Sequence, residues 1–298
     1  MKSDQLELNA KQVKSVTYVG IAVNSALAAV KVVVGLRAGS LALVAHGIHS
    51  LSDLVTDATV LVGIFVSSKK ADVKHPYGHG RAETFAGLFI ALVLMFVGGT
   101  MIYYATVAIA KDEMTQPHFV VLIVALASIF SKEWVYRITQ KVARESHSTS
   151  LYANAWHHRS DALSSVAVVV GFIALEVGFG HGDQVAAIAV GLMVIYVGVH
   201  IIGDVFRELV EGAADSETIK QIEQIIDANA DVRHWHKLRS RTVGREVFLD
   251  VHILVDPELN VAGAHRISEN LEKSLEEQVS RPVNITVHIE PDTPDMRK

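Results

Sequence analysis

The distribution of apolar residues constrains this chain most, because they are concentrated in its first two thirds. A helix needs about 20 mainly apolar residues to cross the hydrocarbon core of a bilayer. Beyond about residue 210 the sequence is charged and has the composition of a soluble domain. We therefore predict six transmembrane helices in residues 1–209 and a cytoplasmic domain in residues 210–298, with apolar runs that begin near Val16, Ala42, Phe85, Phe119, Leu151 and Val185.

Basic residues alternate between the two sides of this helical region. The fourth run is the weakest of the six, because Lys132 and Glu133 lie near its end, but the charges around it require it. By the positive-inside rule, the side richer in Lys and Arg faces the cytoplasm. We expect a multi-pass inner-membrane protein with both termini cytoplasmic: one set of loops holds only Arg37 and Lys111, and the other holds Lys11, Lys14, Lys69, Lys70, Lys74, Arg81, Arg137, Lys141, Arg144 and Arg207.

The last 89 residues alternate between helical and strand periodicity. "SETIKQIEQIIDANA" predicts an amphipathic helix capped by Ser216, and two strands are predicted around Gly244. A second helix and a third strand follow, so the order α-β-β-α-β predicts an open-faced sandwich of two helices on a three-stranded sheet. The apolar faces of the second and third strands are Val247, Leu249, Val251, Ile253 and Val255, and Val283, Ile285, Val287 and Ile289.

Two histidine–aspartate pairs lie inside the predicted spans. His49 and Asp53 in the second run, and His157 and Asp161 in the fifth, are each four residues apart and so share a helix face. A lone His or Asp in a span commonly makes a structural hydrogen bond, but two such pairs supply two imidazoles and two carboxylates, a complete tetrahedral set for Zn²⁺. We interpret these four residues as an intramembrane metal site.

Three further polar residues lie close to these pairs in the sequence. His46, Asp57 and His158 could support the metal ligands or line a water path, and we favour plain polar lining. The site also suggests a coupling mechanism, because two confined carboxylates repel each other and favour proton binding when no metal is present. A divalent metal would displace those protons, so binding competition alone could couple metal movement to proton movement.

Two further groups of ligand-type residues lie outside the spans. Asp72, His75 and His79 in "ADVKHPYGHGRAE" could converge on one ion in a tight turn, or belong to a solvated loop. In the tail, His252 and the pair His288 and Glu290 point away from the apolar strand faces. Together with His236 and His265, they favour a metal site in the cytoplasmic domain. The absence of cysteine excludes thiolate ligands, and a net charge of −5 gives no indication of nucleic-acid binding.

These features together resemble the cation diffusion facilitator family, in particular its bacterial ferrous-iron and zinc efflux branch. The intramembrane pairs and the "HPYGHGRAE" segment carry the resemblance. It implies a homodimer with six transmembrane helices per protomer, a metallochaperone-like cytoplasmic domain and metal–proton antiport by alternating access. It implies no cofactor beyond bound divalent metal ions. Zn²⁺ is favoured because a His/Asp pair on both helices matches zinc-selective members, while Fe²⁺, Co²⁺ and Cd²⁺ stay open.

The resemblance also assigns roles to individual residues. It makes His49, Asp53, His157 and Asp161 the transport site, and Asp72, His75 and His79 the loop site. Arg81 and Glu211 would form a charge pair between the membrane and cytoplasmic domains. The residues of a binuclear site at the cytoplasmic dimer interface would be His236, His252, His265, His288 and Glu290.

Two other functional classes are compatible with metal ligands in spans. A metalloenzyme would need an open coordination position and a general base, but four protein ligands close the site and no HExxH motif is present. We therefore expect a protein that is not an enzyme. A membrane-bound metal sensor or scaffold without net transport is the alternative to an exporter, and equilibrium binding without flux would identify it.

Overall fold

A computed structural model of the chain describes residues 2–38, 41–112, 119–178 and 180–297. Within these ranges it does not describe the side chains of residues 2–4, 35, 38, 41–52, 120, 121, 168, 172, 175, 176 and 183. The contacts divide the chain into two compact units. A helical unit spans Ala10–Val205, and a C-terminal unit joins the residues up to Asn9 with the chain from Phe206 onward.

Long helices account for the apolar part of the sequence. Each has at least 27 residues, more than the length needed to cross a bilayer. Among the residues that the structure describes, three segments are long and apolar enough to cross a membrane: Gln5–Val34, Arg81–Ala110 and Gln184–Leu209. The prediction of six helices is confirmed: α1 (Lys2–Ala38), α2 (Leu41–Ser67), α3 (Arg81–Ala110), α4 (Phe119–Ser146), α5 (Thr149–Glu176) and α6 (Gly182–Leu209).

Helix α5 occupies a central place in the helical unit. It packs against α4, α3 and α2, and α2 also packs against α3. Helices α3 and α6 approach each other closely at a pair of glycines, where a Cβ atom added to Gly98 would lie 2.8 Å from the Gly191 carbonyl oxygen. Small residues permit such close approach between membrane helices. The direct packing of α2 on α5 is what brings the polar residues of these two helices together.

The C-terminal unit confirms the predicted order of helices and strands. Strands β1 and β2 pair antiparallel around Gly244, and β2 and β3 pair parallel, so that β2 is central. The parallel pairing follows from the crossover through the second helix of the unit. The elements are α7 (Ser216–Asp227), β1 (His234–Val243), β2 (Glu246–Val255), α8 (Val261–Gln278) and β3 (Val283–Pro291).

The predicted cap of α7 is wrong by one residue. Asp215, not Ser216, precedes the helix in an extended conformation, and its carboxylate accepts a hydrogen bond from the backbone N–H of Thr218 at 2.9 Å. Both residue types are good caps, so local preference did not separate them. The carboxylate of Asp215 also lies 3.5 Å from the guanidinium of Arg281.

One face of the sheet packs on the two helices and forms the core of the C-terminal unit. All five predicted apolar residues of β2 are buried there, and those of β3 pack on the same core. The opposite face carries His236, His252 and His288 on neighbouring strands, because successive side chains of a strand point to opposite faces. The core residues contributed by the helices include Ile222, Ile226, Leu271 and Leu275.

We predict that Leu271→Ala destabilises the C-terminal unit by about 2–5 kcal/mol, because Leu271 is completely buried and its truncation leaves a cavity. Hydrogen exchange of the β2 and β3 backbone amides, measured on the full chain, should become faster. Leu259→Ala is the matched control, since Leu259 is exposed. Equal exchange in the two variants would contradict this account of the core.

Candidate metal sites

The intramembrane cluster joins α2 and α5. The Nε2 atom of His157 lies 3.4 Å from Asp53 Oδ1 and 3.9 Å from Asp161 Oδ2. Asp53 and His157 are buried, and among the described residues neither ring nitrogen of His157 has a hydrogen-bond partner. Buried imidazole nitrogens without a partner are costly in a protein interior, and a metal ion would satisfy one of them. The arrangement therefore suits a cation bound by one imidazole and two carboxylates.

The fourth predicted ligand is His49. His49 belongs to α2, one helical turn before Asp53, but its side chain lies outside the described residues. The same holds for the side chain of His46. The role of His49 in the site stays a prediction.

Sequence reasoning missed a residue at the centre of this cluster. Lys132 belongs to the middle of α4, not to the end of a span as expected, and it is only 2% exposed. Its ammonium donates hydrogen bonds to Asp53 Oδ2 at 2.8 Å and to Asp161 Oδ2 at 2.7 Å. A lysine in the same helix as an apolar run was the available signal, but nothing local in the sequence indicated these two partners.

A cavity of about 470 Å³ adjoins the cluster. Asp53, Lys132 and Asp161 lie on its wall, and Lys31 of α1 is a second buried lysine there. The other polar residues of the wall are Thr100, Tyr104, Ser128, Ser160, Ser164, Ser165 and Gln184, all but one of which carry a hydroxyl group. The cavity therefore offers oxygen atoms to a cation beside the two carboxylates.

A second polar group lies one helical turn away from the first. Asp57 accepts hydrogen bonds from Asn24 Nδ2 at 2.8 Å and from Asn154 Nδ2 at 2.7 Å, and His158 Nε2 lies 3.5 Å from its Oδ1 atom. All four side chains are buried. The sequence favours plain polar lining for Asp57 and His158. In the structure both belong to a hydrogen-bonded group that links α1, α2 and α5.

The loop between α2 and α3 brings together the three predicted ligands. Asp72 Oδ1 accepts hydrogen bonds from the backbone N–H groups of Lys74 and His75, which curl the loop around the carboxylate. His75 Nδ1 lies 3.2 Å from Asp72 Oδ1, and His79 Nε2 lies 3.4 Å from Asp72 Oδ2. These three residues could hold a metal ion with two nitrogens and one oxygen.

Hydrogen bonding also sets the charge of this loop. The backbone N–H of His75 lowers the pKa of Asp72 below its usual range, an effect that outweighs the opposing desolvation and is reinforced by the N–H of Lys74. Donors directed at a carboxylate stabilise its charged form. Asp72 is therefore ionised at neutral pH.

The histidine face of the C-terminal sheet contains a third cluster. His252 Nδ1 lies 2.8 Å from Glu290 Oε1, and His236 Nε2 lies 2.9 Å from Glu290 Oε2. The hydrogen bond with His252 is the main cause of a lowered pKa of Glu290, so this carboxylate is ionised at neutral pH. Two imidazoles and one carboxylate again form a possible metal site.

Two other predicted ligands of this domain are placed differently. His288 lies at the edge of the cluster, with Nε2 3.5 Å from Glu290 Oε1. Its exposed ring is tilted by 48° against that of His252, with 4.4 Å between the ring centres. His265 is exposed on α8, where its Nε2 lies 3.3 Å from Glu269 Oε1, and it is not grouped with His236, His252 and Glu290 in the described part of the protomer. A binuclear site that includes His265 stays a prediction.

The predicted charge pair between the domains involves Arg81 and Glu211. Within the C-terminal unit, Glu211 lies 3.2 Å from the guanidinium of Arg241. Arg81 is the first residue of α3. The pairing of Arg81 with Glu211 stays a prediction.

We predict that Glu290→Gln weakens Zn²⁺ binding at the histidine face at least tenfold, because it removes the charged group shared by His236 and His252. Zn²⁺ titration of the full chain would show the loss of one class of sites. Glu277→Gln is the matched control, since Glu277 is an exposed glutamate of α8. Unchanged stoichiometry and affinity in Glu290→Gln would rule out a metal site here.

We further predict that Asp72 contributes equally to Zn²⁺ binding by the loop at about pH 7 and at about pH 5. A carboxylate with a lowered pKa loses its charge only below its ordinary range, so Asp72 stays ionised throughout this window. Asp72→Asn should weaken binding by the same factor at each pH.

The measurement is a Zn²⁺ titration at several pH values in an Asp161→Asn, His236→Ala background, which disables the other two clusters. Asp231→Asn, at an exposed position, is the control. A pH dependence that becomes shallower in Asp72→Asn would show that Asp72 itself titrates in this range.

Comparison with known proteins places the two units in one family. Residues 17–210 match the model of the cation efflux transmembrane domain, and residues 214–292 match the cytoplasmic domain of cation efflux proteins. Among solved structures, the metal-bound C-terminal domain of the CzcD transporter from Thermotoga maritima is similar to part of this chain. The match covers 25% of this chain and 87% of the solved domain, with 25% sequence identity and a TM-score of 0.24.

Curated relatives cover most of the chain. The magnetosome protein MamB of Magnetospira sp. (strain QH-2) is 33% identical over 88% of this chain and 89% of its own length. The manganese efflux system protein MneS of Bacillus subtilis (strain 168) is 30% identical over 94% of this chain and 96% of its own length. Metal tolerance protein C1 of Arabidopsis thaliana is 32% identical over 91% of this chain and 61% of that protein.

The helical unit with its buried carboxylates and the matching transmembrane model define a membrane transporter of divalent metal cations. The chain belongs to the cation diffusion facilitator family, whose cytoplasmic dimerisation domain forms its C-terminal unit. The resemblance found in the sequence is thereby confirmed. This is a family of transporters, which agrees with the prediction that the protein is not an enzyme.

Proposed function

We propose that the protein exports Zn²⁺ from the cytoplasm in exchange for protons, as a homodimer in the inner membrane with both termini cytoplasmic. The observation that carries this proposal is the group of buried His157 and Asp53 and partly buried Asp161 between α2 and α5. Ionisable residues inside a membrane are costly and commonly mark the path of an ion. Here ligand atoms from α2 and α5 lie within 4.8 Å of one another, close enough to bind one metal ion together.

The imidazole supports Zn²⁺ as the substrate. Nitrogen ligands suit Zn²⁺ and its neighbours in the transition series, whereas Mn²⁺ and Mg²⁺ favour shells of oxygen. His157 is buried with both ring nitrogens lacking a hydrogen-bond partner among the described residues, so it is available as a ligand. Fe²⁺, Co²⁺ and Cd²⁺ share part of this preference and are the substrates to compare with Zn²⁺.

Proton exchange follows from the pair of carboxylates. Asp53 and Asp161 lie on either side of one small site, and bound metal and bound protons compete for their oxygens. A proton gradient directed into the cytoplasm would then favour release of the metal on the opposite side. The exposed loop and sheet clusters would bind metal on the cytoplasmic side and regulate the membrane unit through the dimer.

Transport in liposomes tests this function. With an imposed pH gradient, wild-type protein should move Zn²⁺ and Asp161→Asn should lose at least about 90% of the initial rate, because one of two anionic ligands is gone. Asp204→Asn is the matched control, since Asp204 is an exposed aspartate of α6. A zinc-sensitive dye follows the metal and a pH dye follows the protons.

Two outcomes of that experiment would contradict the proposal. Tight Zn²⁺ binding by folded wild-type protein without any flux would identify a metal sensor or scaffold. Proton flux that does not depend on metal would exclude exchange as the mechanism.

A second prediction concerns metal choice. His157→Asp replaces the buried imidazole with oxygen ligands, so we expect Zn²⁺ transport to fall relative to Mn²⁺ transport by at least about tenfold. Competition between the two metals in the same liposomes measures the ratio. His181→Asp controls for loss of a histidine, because His181 lies 3.2 Å from Asp112, outside the cluster. An unchanged ratio would show that His157 does not select the metal.

A further inference from the structure

A cation of the protein itself occupies the space between the two proposed carboxylate ligands. The ammonium of Lys132 lies 2.8 Å from Asp53 Oδ2 and 2.7 Å from Asp161 Oδ2. The oxygen of Asp161 that it contacts is also the one nearest His157 Nε2, at 3.9 Å. The lysine and a metal ion would therefore share at least one ligand oxygen.

Distance and charge make the two cations mutually exclusive. A Zn²⁺ ion lies about 2.0–2.2 Å from a carboxylate oxygen, so a metal bound to Asp161 Oδ2 would lie within about 5 Å of the ammonium. Two positive charges at this distance in a buried site repel each other strongly. Metal binding thus requires the ammonium of Lys132 to leave the carboxylates.

The structure offers a place for the displaced ammonium. Ser128 lies four residues before Lys132 on the same face of α4, and its buried hydroxyl has no hydrogen-bond partner among the described residues. Both residues line the cavity of about 470 Å³, whose wall includes the hydroxyls of Ser160 and Ser164. The four-carbon stem of a lysine allows its head group to move between such positions.

We propose that Lys132 is an internal competitor of the transported metal. Its ammonium bridges Asp53 and Asp161 while the site holds no metal, and it moves to Ser128 and the cavity when metal binds. Lys132 is thus a positioning residue and not a ligand. This inference rests on the proposed function, because it assumes that Asp53 and Asp161 bind the transported ion.

Such a competitor has a consequence for transport. Two buried carboxylates without a counter-charge would be strongly unfavourable in a membrane domain. Lys132 compensates them when the metal has left, and its return helps to expel the metal. It therefore lowers the affinity of the site and speeds release.

Zn²⁺ binding to the full chain in nanodiscs tests the proposal. A His75→Ala, His79→Ala, His236→Ala, His252→Ala background disables the other two clusters and leaves the intramembrane site. On this background Lys132→Met should bind Zn²⁺ about tenfold more tightly or better, a change of about 1.4 kcal/mol. Lys132→Arg keeps the charge and should stay near the background affinity. Lys141→Met, at an exposed lysine of the same helix, is the matched control.

Thermal unfolding separates competition from a merely structural role. Lys132→Met should melt at a lower temperature than the background protein without Zn²⁺, because its carboxylates have lost their counter-charge. Saturating Zn²⁺ should then raise its melting temperature by more than it raises that of the background. If Lys132 only supports the fold, the variant will melt early and bind Zn²⁺ no better. Lys132→Gln, which keeps a hydrogen-bond donor without the charge, replaces Lys132→Met if the latter does not fold.

A double-mutant cycle tests the destination of the ammonium. Ser128→Ala should weaken Zn²⁺ binding when Lys132 is present, because the displaced ammonium loses an acceptor. It should have no effect in the Lys132→Met protein. Equal effects of Ser128→Ala in both backgrounds would overturn this part of the proposal.

The Asp161→Asn variant separates the failure of this inference from the failure of the proposed function. If Asp161→Asn leaves both Zn²⁺ binding on this background and liposome uptake intact, the intramembrane site is not the transport site. If Asp161→Asn abolishes both but Lys132→Met binds no more tightly than the background, Lys132 is not a competitor and the proposed function stands.

Discussion

The helical unit depends on how it compensates carboxylates that are buried between its helices. Each ionised carboxylate would cost several kcal/mol in such a place without compensation. The unit uses two different solutions in adjacent turns of α2. Amide groups of Asn24 and Asn154 donate to Asp57, whereas the ammonium of Lys132 compensates Asp53 together with Asp161. Only the second solution involves a lysine ammonium, so only there can a metal cation take the place of a side-chain cation beside the carboxylates.

The two polar groups arise from one geometric relation between α2 and α5. Residues four apart lie above one another on a helix. Asp53 and Asp57 therefore share one face of α2, and His157 and Asp161 share one face of α5. Asn154 and His158, also four apart and 3.3 Å from each other, face Asp57. The amide-compensated group links α1, α2 and α5, and thereby fixes the relative position of the helices that carry the cation-binding residues.

Residues whose placement depends on local spacing could be predicted from the sequence. The four-residue spacing predicted that His157 and Asp161 share a face, and alternation in β2 and β3 placed His252 and His288 opposite the apolar core. The convergence of Asp72, His75 and His79 likewise follows from a short loop that turns around one carboxylate. In each case the relevant contacts span only a few residues of the chain or one period of a strand.

Lys132 could not be placed in the same way, because its partners Asp53 and Asp161 lie 79 and 29 residues away in the sequence. Next to Glu133 it resembled the polar end of a span. The pairing of β1 with β2 could not be predicted from spacing alone either. The register shifts between His236 and Arg239, and His236 is the residue that lies opposite His252. The exact start of α7 depended on a choice between two adjacent capping residues, which spacing does not decide.

Burial distinguishes the intramembrane cluster from the other two. The side chains of Asp72 and His75 are about half exposed, so a metal ion can reach the loop from water without rearrangement of the protein. Asp53 and His157 are 3% and 4% exposed, and the ammonium of Lys132 lies against Asp53, so a metal ion binds there only when that ammonium moves. A transport site must not be open to both sides of a membrane at once, because it would then leak ions along their gradient. A buried site whose occupancy requires an internal cation to move meets this condition, and the exposed clusters do not.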